Sequence, residues 1–156
     1  MKVSNEGFKQ VLRRFPSGVT VVTVKNGTEV HGITVSAFIS VSIDPELILV
    51  SIGKQARAHP MLEASKEFGV SILSSKQAGI SNHFANWGKK TEPEFEDLGG
   101  FPVIKNALAQ LHCTNYNQYD AGDHSLFIGK VENLNYSEGK PLVFYSGQYR
   151  KLKKNK

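Results

Sequence analysis

Short hydroxyl side chains recur at alternate positions through residues 32–45, which read G-I-T-V-S-A-F-I-S-V-S-I-D-P. With the two-residue period of a strand, Thr34, Ser36, Phe38, Ser40 and Ser42 fall on one face and Ile33, Val35, Ala37, Ile39, Val41 and Ile43 on the other. The aliphatic face reads as core. The hydroxyl face reads as a ligand shelf, because Ser and Thr leave room for something to lie against the backbone and offer it donors and acceptors. An ordinary sheet face, rich in Ser and Thr because they suit strands, is the competing reading. A second group is Gly122-Asp123-His124, where a side chain that titrates near neutrality follows a carboxylate. Its plainer reading is a turn-flanking histidine bonded to Asp123. A third is Lys54 with Arg57 near the start of an expected helix, whose unpaired N–H groups and dipole suit a phosphate. Two solvated cations would read the same way.

Standard chemical signatures are otherwise missing. The sequence has no G-x-G-x-x-G after a strand, no Walker phosphate loop, no H-E-x-x-H and no G-x-S-x-G elbow. His31, His59, His83, His112 and His124 include no pair three or four apart, so no metal site is expected. His59 and Glu63 read as a surface i,i+4 hydrogen bond. The single Cys113 excludes an internal disulfide and any multi-cysteine metal site. It lies in an apparent strand and reads as a buried structural thiol in a reducing cytoplasm. No apolar run approaches the length of a membrane span, and the first residues have no signal-peptide core. The expectation is a soluble, cytoplasmic protein with no membrane partner.

The 156 residues, 40% hydrophobic, fit one domain over 1–156 with a single core. The net charge of +5 comes from the C-terminal end, where Arg150, Lys151, Lys153, Lys154 and Lys156 outweigh an otherwise balanced body. Residues 147–156 therefore read as a solvated basic tail, and no nucleic-acid partner is expected.

Around these groups the pattern predicts the elements that must position them. Asn5 caps a helix in which Phe8, Val11, Leu12 and Phe15 recur at spacings of three and four; Pro16-Ser17-Gly18 stops it, and it should lie on a sheet. Residues 18–24 form a strand, Asn26-Gly27 a hairpin turn and 28–37 the return strand. Asp44-Pro45 makes the next turn, and 47–52 form a strand covered on both faces. Residues 56–66 read as a helix with Pro60 in its first turn. A strand over 68–73, a helix over 75–87 with Ile80 and Phe84 on one face, and a polar loop over 88–100 follow. Two long strands, 108–119 and 124–136, are joined by the turn residues 120–123, and 142–145 is a last short strand. Short turns and no regular βαβ alternation argue for an antiparallel closed or nearly closed barrel.

Four segments carry a resemblance: F-P-S-G-V-T-V-V-T (15–23), H-G-I-T-V-S-A-F-I-S-V-S-I-D-P (31–45), A-G-D-H-S-L-F-I-G-K-V (121–131) and Y-S-G-Q-Y-R-K-L (145–152). In this order, over nearly the whole chain, they resemble the flavin reductase family, the FMN-binding split barrels that act as the reductase of two-component monooxygenases such as the 4-hydroxyphenylacetate type. The resemblance implies a mainly β, antiparallel Greek-key split barrel with a few peripheral helices, paired as a homodimer with flavin near the interface. It implies FMN or FAD as flavin, NADH or NADPH as hydride donor, and a separate flavin-dependent monooxygenase that receives the reduced flavin.

Carried over by position, Thr34, Val35, Ser36 and Ala37 match the strand that meets the flavin, and Ser51 and Ile52 the neighbouring strand end. Arg57 matches the basic position beside the flavin phosphate, where Lys54, read with it at the helix start, also counts as cofactor-binding, with Ala56 and Ala58 where relatives often carry hydroxyls. Phe84 matches a wall of the site and Tyr149 a residue close to it. Asp123 and His124 match the nicotinamide side, with His124 as the catalytic residue that orients the carboxamide or donates a hydrogen bond. The implied catalysis is positioning of two rings, with backbone N–H groups stabilising charge on the reduced flavin. A flavin-binding oxidase acting on a pyridoxal-type substrate, or a redox sensor on the same barrel, would share much of the shelf. A small-barrel single-strand nucleic-acid module is the alternative from another class.

Overall fold

The computed structural model describes residues 2–153. Helix α1 (Asn5–Leu12) begins one residue earlier than a cap at Asn5 would place it: Ser4, in extended conformation, accepts the Gly7 N–H on its Oγ at 3.1 Å and is the cap. The helix does not lie on a sheet. None of its residues is buried, and Phe8, Val11 and Phe15 expose 56%, 69% and 78% of their surface. The reason is a tether at its end, where the Arg13 carbonyl accepts the Ser146 N–H at 3.1 Å and fixes the helix beside a C-terminal turn.

After β1 (Ser17–Gly18), the β-branched run builds β2 (Thr20–Asn26), which returns as β3 (Glu29–Val35). Asn26 pairs with Glu29, so the two central turn residues are Gly27 and Thr28, one position later than expected; Gly27 takes the positive φ of 63° that the turn needs. Residues 32–45 are then not one strand. The chain turns aside at Ser36-Ala37 and continues as β4 (Phe38–Ile43), which pairs with β5 (Glu46–Gly53) rather than extending β3. The Ser51 N–H bonded to the Ala37 carbonyl at 3.1 Å fixes the jog. As a result the aliphatic residues Ile39, Val41 and Ile43 are 58%, 48% and 85% exposed instead of forming core. Along β5, Ile48, Val50 and Ile52 are buried while Leu47, Leu49 and Ser51 are only partly covered, so one face rather than both is sealed.

Helix α2 (His59–Ala64) is shorter than expected because Ala58 supplies no side-chain cap and Ser65 is already extended. It leads to β6 (Glu67–Ile72) and to α3 (Ala78–Ala85). The expected polar loop contains a small hairpin, β7 (Phe95–Leu98) with β8 (Phe101–Ile104), that charged and proline residues disguised in the sequence. The long strands β9 (Ala109–Ala121) and β10 (His124–Tyr136) close as expected on a two-residue turn, Gly122-Asp123. Finally β11 (Val143–Tyr145) pairs with β12 (Gln148–Arg150) and with β1, so the first part of the expected tail is a strand. Lys154 and Lys156 of that tail lie outside the described residues.

The main sheet runs β3-β2-β6-β9-β10-β5-β4, every neighbour antiparallel. Its two edge strands are linked by Ser36 and Ala37 alone, which forces the sheet to curl until its ends meet. No ladder joins β3 to β4, so the sheet is mainly antiparallel β but not closed, and the expectation of a closed barrel is corrected at that point. Val22, Val35, Val50, Ile52, Phe68 and Phe127 fill the curl. Val19, Val21, Leu73, Ile104 and Leu142 form a second cluster on the other face of β2, against α3.

Candidate functional site

Two cavities meet where the β3–β4 connection faces β11. One, of about 220 Å³, is lined by Thr34, Ser36, Ser81, Ala85, Trp87, Phe144 and Tyr149 among others. The second, of about 440 Å³, shares Ser36 and Phe144 and adds Leu12, Phe15, Ala37, Phe38 and Tyr145. Both are walled chiefly by apolar and aromatic side chains with a few polar groups, the usual make-up of a small-molecule site. Ser36 and Ala37 are exposed between them. Neither donates its backbone N–H to an acceptor among the described residues, so the connection carries two unpaired donors.

The α3 side is closed by buried hydrogen bonds. Thr34 Oγ1 donates to the Ser81 carbonyl at 2.7 Å, so its proton is spent inside the protein and Ser36 remains the free hydroxyl of the expected shelf. Tyr149 Oη lies 2.8 Å from both Ser81 Oγ and Asn82 Oδ1, while Asn82 Nδ2 donates to the Lys89 carbonyl at 2.9 Å. Phe84, expected to wall the site, packs behind it: a β-carbon at Gly32 would come within 2.5 Å of its ring, so glycine there is what lets α3 close on β3. Val35 is buried, and its carbonyl accepts from Thr20 Oγ1 at 2.8 Å, leaving it no direct part in the opening.

The other side is built by β5 and the β9–β10 turn. His124 stands opposite Gly53, Ser125 opposite Ile52 and Leu126 opposite Ser51. His124 Nδ1 lies 2.7 Å from Asp123 Oδ1, and the Lys54 N–H donates to the Asp123 carbonyl at 2.8 Å. The His124 hydrogen bond to the carboxylate, and then the imidazole's charge, hold the Asp123 carboxyl below the usual carboxylate range. The other ring nitrogen is left outward, with Gly53 beneath it; even a β-carbon there would stay 3.6 Å from Nε2. The Lys54 ammonium sits 3.5 Å from Asp120 Oδ2 instead of waiting for a phosphate. Ile52 is buried in the core and offers only its backbone.

Beneath this turn runs a chain that sequence reasoning missed. Ser125, fully buried, donates from Oγ to Asp120 Oδ1 at 3.1 Å and therefore accepts from His59 Nε2 at 2.8 Å. His59 is itself buried, so the expected surface bond to Glu63 is replaced: Glu63 Oε2 stands 3.7 Å from Nδ1, too far for a hydrogen bond. Arg57 is exposed, precedes the Ala58 cap of a six-residue helix and belongs to no ion pair among the described residues. Cys113 is buried as expected, and burial pushes its thiol up to about 12, which removes it from nucleophilic chemistry at neutral pH.

The structure thus gathers Thr34, Ser36 and Tyr149 at one cavity, Ala37 at the second, which shares Ser36, and Ser51, Lys54, Asp123 and His124 at the adjoining strand end, with the Ser51–Ala37 bond joining the groups. Ser81, Asn82, Trp87 and Phe144 complete it unannounced. Only Trp87 carried a sequence signal, as the single tryptophan set between Asn86 and Gly88.

This arrangement, a curled open sheet with a ligand-sized gap where its edges meet, is that of a flavin reductase: the chain belongs to the family described as "Flavin reductase like domain", which matches residues 12–153. It is 43% identical over 150 residues to an NADH-dependent flavin reductase of Rhodococcus sp, covering 92% of this chain and 84% of the relative. It is 40% identical over 148 residues to the reductase component of 4-hydroxyphenylacetate 3-monooxygenase of Thermus thermophilus, covering 94% and 96%. Among solved structures, flavin reductase PheA2 in its native state superposes with a TM-score of 0.93 at 43% identity, over 97% of this chain and all (100%) of that one. The NADH:FAD oxidoreductase SgcE6 of Streptomyces globisporus C-1027, in complex with NAD and FAD fragments, gives 0.85 at 32% identity over 98% of each chain. The resemblance carried by the four sequence segments is borne out.

Proposed function

We propose that this chain is an NAD(P)H-dependent flavin reductase, a single split-barrel domain of Greek-key topology that reduces FMN or FAD for a separate flavin-dependent monooxygenase in the cytoplasm. The observation that carries the reading is the exposed Ser36-Ala37 connection, with two free backbone donors and one free hydroxyl, set between an aromatic wall and the His124 turn. These residues fit a flat ring with an apolar body and polar edges. When bound, the flavin supplies the hydride acceptor, and the protein's task is to place the two rings.

The roles follow from the contacts. The Ser36 and Ala37 N–H groups and the Ser36 hydroxyl hold a polar ring edge and oppose negative charge there, in positions fixed before any ligand arrives. Thr34 and Tyr149 keep α3 closed against β3. His124, with Nδ1 anchored on Asp123, turns Nε2 toward the dinucleotide and orients its carboxamide. Lys54, drawn to Asp120, is the cation nearest that entry, and Ser51 fixes the connection through its N–H.

A homodimer completes the reading. Ile39, Val41 and Ile43 on the edge strand β4, with Phe8, Val11 and Phe15 around α1, expose apolar surface that a monomer does not usually leave on an unpaired edge. Light scattering at micromolar concentration is expected to give twice the chain mass. The functional test is optical: anaerobic NADH or NADPH, added to protein with FMN or FAD, is expected to bleach the visible band of the oxidised flavin. Folded protein that leaves that band intact with both nucleotides and both flavins overturns the assignment.

A further inference from the structure

Trp87 is the only tryptophan in the chain, and 52% of it is exposed. A singly exposed aromatic needs no explanation in general, but the backbone here is built to hold this one in place. Asn86 and Gly88, on either side of it, both take positive φ, 52° and 58°. The Trp87 N–H donates to the Asn82 carbonyl at 3.0 Å, and the Asn82 side chain holds the Lys89 carbonyl at 2.9 Å, so one buried residue pins the turn at both ends. Glycine is needed at 88, where a β-carbon would stand 3.1 Å from Asn82 Nδ2 in a conformation L side chains rarely adopt. This rigid turn does not feed the indole into the core. It presents the ring to the cavity of Thr34 and Ser36, tilted 55° to Tyr149 at 5.8 Å between centroids. An indole held half-wet at the rim of an apolar cavity, with donors on the facing connection, is a preorganised stacking surface.

We infer that Trp87 is a ring-stacking residue of this site, in face contact with the isoalloxazine, and that it sets affinity for the ring rather than for the flavin's side chain. The inference rests on the flavin reductase reading. Aromatic stacking of nucleobases, removed by alanine, lowers affinity roughly tenfold to a hundredfold, and the same range is expected here.

The test compares wild type, Trp87→Ala and Trp87→Phe, each titrated with FMN and with lumiflavin, which has the ring but no ribityl phosphate. Flavin fluorescence is read throughout, and folding is checked by circular dichroism. Trp87→Ala should bind both ligands more weakly by the same factor and leave the bound flavin brighter. Trp87→Phe should recover most of the affinity. In wild type, saturating flavin should shield the tryptophan from acrylamide quenching, a readout that needs no variant to fold. Equal affinity and equally dark flavin in Trp87→Ala, a loss confined to FMN, or an indole still open to acrylamide with flavin bound would each overturn the stacking role while leaving the reductase reading intact. Failure of wild type to bind lumiflavin, FMN and FAD alike would overturn both.

Discussion

The two sides of the cleft solve opposite problems. On the α3 side the polar groups are turned inward: Thr34, Tyr149, Ser81 and Asn82 satisfy one another, and what faces the cavity is largely hydrocarbon and aromatic surface. On the β5 side the polar groups are turned outward: His124 and Asp123 stand at the turn with 47% and 93% of their side chains exposed, above the buried His59–Ser125 pair that hands on to the exposed Asp120. A buried, fully bonded network holds shape, whereas an exposed imidazole with one nitrogen anchored keeps a donor or acceptor free for a ligand. One wall is suited to gripping a ring and the other to orienting a reactant.

Breaking each wall should therefore fail differently. The largest effect on stability is expected on the gripping side. Asn82→Ala leaves the Lys89 carbonyl without its donor and takes from the Tyr149 hydroxyl one of its two partners, Ser81 being the other, and should cost about 1–3 kcal/mol in urea unfolding while weakening flavin binding, because the Trp87 turn keeps only its backbone bond to residue 82. A stable Asn82→Ala that binds flavin as wild type does would show that the network is not what shapes the cavity.

Ser125→Ala cuts the chain beneath the other wall. Asp120 is mostly exposed and water replaces that partner, so only the buried His59 is stranded and the loss should fall near the lower end of about 1–3 kcal/mol. Flavin affinity should hold while the KM for NAD(P)H rises. A change in flavin affinity alone would reverse the division.

The smallest effect is electrostatic. His124 lowers the Asp123 carboxyl below its ordinary value, so the pair contributes above the usual carboxylate range and is lost only as pH falls through the depressed folded-state value. Carboxyl-carbon NMR should place the Asp123 midpoint below that of a free aspartate in wild type and raise it toward the ordinary value in His124→Ala, which removes the largest of the lowering causes. An unchanged midpoint in the variant would show that the pair is not formed in solution.

What could be read in advance depends on how far the deciding contact lies along the chain. The β9–β10 hairpin was legible because D-A-G-D fixes the turn locally, and the Asp123–His124 contact because the residues are adjacent. The stretch 32–45 misled because perfect local alternation conceals a jog imposed by a bond from Ser51 to Ala37. The apolar stripe of α1 read as a buried face, yet it stays exposed among the described residues. Tyr149 meets Ser81 and Asn82 across 68 and 67 residues, and His59 meets Ser125 across 66, separations at which composition and periodicity carry no signal. Resemblance named Ser36, His124 and Phe84 for the site; Ser36 lines both cavities, His124 stands at the β9–β10 turn, and Phe84 packs against Gly32, while Trp87, which the resemblance did not name, lines the smaller cavity.

The claim that one wall holds the flavin and the other positions the donor is tested most directly by rapid anaerobic mixing of NADH and NADPH with flavin-loaded wild type and His124→Ala, with flavin affinity measured on the same samples. Loss of one or two positioning hydrogen bonds should lower kcat/KM for the variant roughly tenfold to a hundredfold and leave flavin affinity unchanged. Reduction at the wild-type rate across the nucleotide range, or a variant that chiefly releases its flavin, would contradict it.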